Sequence, residues 1–190
     1  MHININLKEY MANVDGLRNL VRYQSAPRVS SETVAEHSYY VAAYVLKLHN
    51  YYEFDLKNAL SMAILHDYAE SFISDVPHPI KKQFPLIEQE LNRAEHSIIS
   101  EHISDEFAAC IDGFNDLTTA EGCIVSFADI LSVIAYAKYE IGLGNSKYMK
   151  NVLNRAKDRA IKMTNLCAKY LYPNIDANEV FAQIEEFINE

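Results

Sequence analysis

Residues 121–141 read Glu121-Gly122-Cys123-Ile124-Val125-Ser126-Phe127-Ala128-Asp129-Ile130-Leu131-Ser132-Val133-Ile134-Ala135-Tyr136-Ala137-Lys138-Tyr139-Glu140-Ile141, followed by Gly142 and Gly144. The run is far too long for a strand, and two glycines close it as they close helices. A helix this apolar around most of its circumference belongs in the middle of a protein. Asp129 is the anomaly: an ionised carboxylate in such a setting costs several kcal/mol unless a cation or several donors face it. A helix-to-helix salt bridge is the plain alternative.

The flanking sequence supports the same class. Leu7, Met11, Val14, Leu17 and Val21 form the stripe of a helix ending near Arg22. Thr33-Val34-Ala35-Glu36 fits a capping box, so a second helix starts at Thr33 with His37 in its first turn. A third covers Leu56 to Glu70, after which Asp75-Val76-Pro77-His78-Pro79 reads as non-helical because two prolines lack amide donors. Leu86–His102, Asp105–Gly113 and Lys147–Leu171 are further helices, the last closed by Pro173, and Asp176-Ala177-Asn178-Glu179 caps a final one. With five glycines, five prolines and almost no alternating patterns, the expectation is an all-α, compact, single-domain helical bundle spanning residues 1–190.

Composition narrows the function classes. A formal charge of -9 without a dense Lys/Arg cluster argues against gripping duplex nucleic acid. Met1 to Tyr10 lacks the pattern of a signal peptide, and no stretch reads as the roughly 20 apolar residues of a membrane span, so a cytoplasmic protein without a membrane partner is expected. Cys110, Cys123 and Cys167 are widely spaced and odd in number, which suits buried thiols better than a disulfide framework.

His66-Asp67 emerges from the apolar segment Ala59-Leu60-Ser61-Met62-Ala63-Ile64-Leu65 and poses the same problem as Asp129. A lone His-Asp dipeptide means little. Combined with His37 and Asp129 on other helices, it offers two imidazole nitrogens and two carboxylates, a mixed set suited to manganese, cobalt, iron or zinc. Helix bundles assemble metal sites from facing helices in this way.

With these residues in view, the sequence resembles the HD-domain phosphohydrolases, whose pattern is H...HD...D, and within them is similar to the bacterial 5'-deoxynucleotidases of the YfbR type. Arg22, then Val34-x-Glu36-His37-Ser38, His66-Asp67-x-x-Glu70, Asp75-x-Pro77-x-Pro79-x-Lys81 and Ala128-Asp129 carry the resemblance, over about Leu17 to Glu140. It implies that His37, His66, Asp67 and Asp129 bind one divalent metal (cobalt, manganese, zinc, iron or magnesium), with Asp67 and Asp129 also beside the substrate. It further implies that Glu70 manages the proton of the attacking water and that Arg22 orients the phosphate. Asp75, Val76, Pro77 and His78 would form the sugar-binding segment, with a turn role for Asp75 as the alternative. Lys81 would touch phosphate, or be solvated like Lys82.

One residue departs from the family. The position after the arginine is typically tryptophan, packed against the sugar; here it is Tyr23, and the chain has no tryptophan. The resulting expectation is metal-dependent hydrolysis of 2'-deoxynucleoside 5'-monophosphates by a homo-oligomer. Its alternatives are a deoxynucleoside triphosphate triphosphohydrolase releasing triphosphate, the reaction of small viral HD enzymes that the sequence also resembles, and a non-catalytic nucleotide-binding regulatory module.

Overall fold

In the computed structural model, residues 6–167, 170, 182 and 185–187 are described, without the side chains of residues 78, 79, 112, 115, 116 and 165–167. The expected helix from Asp176 and the end of the Lys147–Leu171 helix lie outside the described residues. Every helix or strand assigned among them is helical: α1 (Leu7–Asn19), α2 (Val34–Leu48), α3 (Leu56–Leu65), α4 (Glu70–Ile73), α5 (His78–Gln83), α6 (Pro85–His102), α7 (Asp105–Asp116), α8 (Ala120–Gly142) and α9 (Ser146–Cys167). The class is all-α, as the periodicity predicts.

The central rod is α8, around which α2, α3, α7 and α9 pack. Its Ile124, Val125, Ile130 and Ile134 are wholly buried against Val41 and Val45 of α2, Ala59 and Ala63 of α3, and Ala156 and Ala160 of α9. Full burial of each such branched side chain contributes about 1.5–3 kcal/mol. The small alanines on the partner helices let the backbones approach. At the other end Gly122 nearly touches α7: a Cβ there would sit 2.3 Å from the Gly113 carbonyl oxygen. By length and composition α8 could cross a membrane, contrary to the sequence reading, yet 72% of its most apolar window is buried within the protein. Its hydrophobicity is that of a core helix.

The capping box forms as expected: the Thr33 hydroxyl accepts from the Glu36 amide, and the Glu36 carboxylate accepts from the Thr33 amide at 2.7 Å. Three other expectations need correction. First, α1 stops at Asn19, because Leu20 turns extended and Val21 pairs antiparallel with Thr33. Arg22 therefore lies on a two-stranded fastening, its amide bonded to the Glu32 carbonyl at 2.8 Å. Of the expected α1 stripe, Leu17 is buried while Leu7, Met11 and Val14 are exposed. Second, the helix from Leu56 does not run to Glu70. It ends at Leu65, and the Tyr68 and Glu70 amides bond the Leu65 and Asp67 carbonyls in three-residue steps that tighten the chain before α4. Third, His78–Gln83 is helical despite Pro79. That proline falls in the first turn of α5, where an amide has no intrahelical acceptor to lose.

Candidate active site

His37, in the first turns of α2, is 1% exposed. Its Nδ1 lies 3.1 Å from the Ser132 hydroxyl on α8, which leaves Nε2 facing inward. His66 caps the C-terminus of α3, and its Nδ1–H donates to the Ala63 carbonyl at 3.0 Å. Both rings are thus oriented by one nitrogen and present the other to a common space. That space is bounded by Asp129, three residues before Ser132 on the same face of α8, and by Asp67 in the tightened turn.

The separations bear on what fills it. His37 Nε2 is 3.2 Å from Asp129 Oδ1 and 3.7 Å from Asp67 Oδ2, and His66 Nε2 is 3.2 Å from Asp67 Oδ2. The atoms approach one another, yet both Nε2 atoms are buried without a hydrogen-bond partner. Donors sharing a first-row divalent ion at roughly 2.0–2.2 Å each stand about 3.0–3.4 Å apart; the two 3.2 Å separations fall in that range and the 3.7 Å one lies just beyond it. One ligand atom each from His37, His66 and Asp129 lies within 4.8 Å of the others. A divalent cation therefore fits these residues.

The electrostatics agree with that geometry. Burial would raise the Asp129 carboxyl, but contact with His37 and the charges of His66 and Arg22 hold it down at about 2. Asp67 is likewise held below the usual carboxylate range, since His66, His37 and Arg22 outweigh its burial. Burial and the Arg22 charge push His37 down to about 4, so its imidazole is neutral and can ligate. Burial pulls His66 down as well, but the carboxylate of Asp67 outweighs it and holds the ring up at about 9.

Beside this cluster the Arg22 guanidinium is buried, its Nη1 lacking a hydrogen-bond partner and lying 3.9 Å from Glu32 Oε2. Burial disfavours its charge, yet the neighbouring Tyr23, Asp67, Asp129 and Glu32 more than compensate, and it stays charged. A buried planar fork with an unsatisfied donor is prepared for an oxyanion. Glu32 is itself raised to about 7 by burial, against the pull of Arg22. Glu70 opens α4 near the same carboxylates; burial, then repulsion from Asp67 and Asp75, raise it to about 9.

The remaining expected residues divide. Tyr23 has a left-handed backbone, φ 57°, and its ring stacks on Tyr136 with centroids 5.3 Å apart. Asp75 is half-buried and hydrogen-bonds the Tyr23 backbone; burial and Asp67 raise its carboxyl. Its structural role at the Tyr23 turn joins the sugar role that the resemblance implies. Val76 is half-buried and Pro77 exposed, while the His78 side chain is outside the described residues. Lys81 does not offer a free ammonium: it pairs with Glu95 of α6 at 3.3 Å. Sequence reasoning passed over Ser132, Glu32 and Arg159, the last reaching Asp129 Oδ2 at 3.8 Å from α9. Ser132 alone had a local signal, as a hydroxyl one turn from Asp129 in an apolar helix. Cys123 is buried in the core, and Cys110 is half-buried with its thiol near the Glu106 carbonyl and the Asn58 side chain; the Cys167 side chain is outside the described residues.

The sequence-family profile described as 5'-deoxynucleotidase YfbR-like matches residues 9–178. The chain belongs to the YfbR-like family. A 5'-deoxynucleotidase of Pasteurella multocida is 27% identical over 157 residues, 76% of this chain and 80% of that protein. A conserved hypothetical protein from Pyrococcus furiosus shares the fold with a TM-score of 0.73 and 25% identity, over 96% of this chain and 98% of the other. An HD-domain phosphohydrolase from Listeria innocua does so with a TM-score of 0.68 at 22% identity, over 97% and 90%. This YfbR-like chain is thus a hydrolase with the HD-type all-α fold.

Proposed function

We propose that the protein hydrolyses 2'-deoxynucleoside 5'-monophosphates to deoxynucleoside and orthophosphate, with one divalent metal ion held by His37, His66, Asp67 and Asp129. The observation that carries this reading is the pair of buried, unpartnered imidazole Nε2 atoms converging with two carboxylates beside an unpartnered buried guanidinium. The names of its relatives point to the same substrate class. When bound, the ion supplies Lewis-acid activation of water and offsets charge on the phosphoryl oxygens.

The chain's own groups do the rest. Arg22 grips two phosphate oxygens with its fork and fixes the phosphorus for in-line attack. Glu70 is buried beside Asp67 and Asp75, and burial and those charges raise its proton affinity; a cation offsetting the charges would free its carboxylate to take the water's proton and hand it to the departing sugar oxygen. Tyr23, backed by Tyr136, walls the sugar where a 2'-hydroxyl would crowd it. Asp75 spends one oxygen on the Tyr23 backbone and keeps the other for a sugar hydroxyl. Val76, Pro77 and His78 complete that wall, and Lys81 acts through the field it adds at Asp75. The exposed apolar residues of α1 and the tyrosines Tyr39, Tyr40 and Tyr139 suit burial between copies of this single-domain chain.

The test is a phosphate-release screen of deoxy- and ribonucleotides, mono- through triphosphate, with cobalt, manganese, magnesium, iron and zinc. Orthophosphate from deoxynucleoside monophosphates, in preference to ribonucleotides, is the expected result. Intact triphosphate from deoxynucleoside triphosphates would replace this reaction with a triphosphohydrolase. Nucleotide binding without release under every metal would make the chain a regulatory module.

A further inference from the structure

Glu140 lies eleven residues beyond Asp129 on α8, roughly 16 Å along the axis, and its side chain is completely buried. Nothing in the chemistry above uses it. Both its oxygens are taken by one distant loop: Oε2 accepts from the Val29 amide at 2.8 Å and Oε1 from the Ser30 amide at 2.5 Å. Asn145, just past the end of α8, donates to Glu140 Oε2 at 2.7 Å and to the Pro27 carbonyl at 2.8 Å. Tyr136, one turn before Glu140, donates its hydroxyl to the Ser30 carbonyl at 2.9 Å and stacks its ring on Tyr23. Arg28, within the loop, donates to the Tyr23 carbonyl at 2.9 Å. The end of α8 therefore holds the segment from Tyr23 to Ser30 at four successive points.

That segment begins at the residue after Arg22. Tyr23 sits at φ 57°, a conformation that costs a non-glycine residue free energy and persists when its surroundings over-determine it. We infer that Glu140 is a positioning residue for the reaction: through the Val29–Ser30 amides and the strained Tyr23 turn it fixes the Arg22 guanidinium relative to Asp129. One rigid helix then carries the metal-site carboxylate in its middle and the arginine's anchor at its end, so their separation is set by the rise of α8 and not by a loop. This rests on the phosphate role proposed for Arg22.

Glu140→Gln is the informative change. It keeps the volume but replaces one acceptor oxygen with an amide donor, which must face a backbone N–H. The measurement is a double-mutant cycle on deoxynucleotide hydrolysis with Arg22→Ala. Misplacement of a positioning group by about an ångström costs on the order of 100-fold, so kcat/KM should fall roughly 10- to 100-fold in the wild-type background and less than about twofold once Arg22 is gone. An equal loss in both backgrounds, as a global destabilisation gives, would overturn the inference, as would no loss in either. Should Glu140→Gln fail to fold, Tyr136→Phe removes only the Ser30 bond and enters the same cycle with a smaller loss expected. A second readout needs no activity: the Arg22 Nε–H resonance of the same variant should be displaced from its wild-type position. A wild-type protein that released no phosphate would refute the proposed reaction, and the resonance would still decide this one: an unmoved signal sinks the clamp, a displaced one supports it.

Discussion

Ser132→Ala tests the metal site without touching a ligand. His37 and Ser132 are 1% and 2% exposed, and the 3.1 Å contact between His37 Nδ1 and Ser132 Oγ orients the ring from its Nδ1 side. Loss of the hydroxyl leaves a buried ring N–H unsatisfied, at about 1–3 kcal/mol. The ring can also adopt the tautomer that puts its proton on Nε2, toward Asp129, where it competes with a cation. Removing the partner that orients a metal-bound histidine lowers metal affinity about 10- to 100-fold, or about 1.4–2.7 kcal/mol. Calorimetric titration with manganese or zinc measures this directly. Thermal denaturation without metal should show a lowering of a few degrees, at about 2–4 °C per kcal/mol for a chain of this size. The stabilisation gained on adding a fixed metal concentration should shrink as well. Ser61→Ala is the control, since that hydroxyl bonds only within its own helix, to the Lys57 carbonyl. A metal dissociation constant within twofold of wild type in Ser132→Ala would refute the reasoning, because the His37 ring would then not be preset by its Nδ1 partner.

Glu70→Gln should lower kcat by about 10²–10⁴-fold, the span of a lost general acid or base, while leaving metal content in elemental analysis unchanged; retained turnover would remove Glu70 from the mechanism. Gly122→Ala should destabilise by about 1–3 kcal/mol in urea denaturation, since its Cβ would meet the Gly113 carbonyl at 2.3 Å between two backbones. Glu32 gives a pH signature. Its folded carboxyl is raised from 4.5 to about 7 by burial, so the folded state keeps a proton that the unfolded chain releases. Its contribution to stability is full below about pH 4.5 and is lost as pH rises to about 7, up to about 3 kcal/mol in all. Glu32→Gln should flatten that slope in denaturation measured from pH 4.5 to 8, and an unchanged slope would show that Glu32 ionises normally.

The helix content was legible because the signals for it are local. The apolar run of α8 and the Thr33–Glu36 capping box lie within short windows whose physics the neighbouring residues settle. The candidate ligands were legible for a related reason: Asp129 interrupts an apolar helix and His66-Asp67 directly follows an apolar segment, and a polar group placed where burial is expected demands a partner. The tightened turn after Leu65 was not legible, since Leu56 to Glu70 keeps helical spacing throughout, and only the convergence of Asp67 with His66 and His37 rewards breaking it. Lys81 illustrates a second kind of silence. Its pairing with Glu95 depends on how α5 folds back on α6, and a charge written in a sequence does not name its counterion. The Glu140 contacts are the extreme case, with acceptor and donors more than a hundred residues apart and each unremarkable alone. The site therefore has two layers of different visibility: the candidate metal ligands stand against the local pattern and can be read, whereas groups that hold them in place obey it and become visible only once the chain is folded.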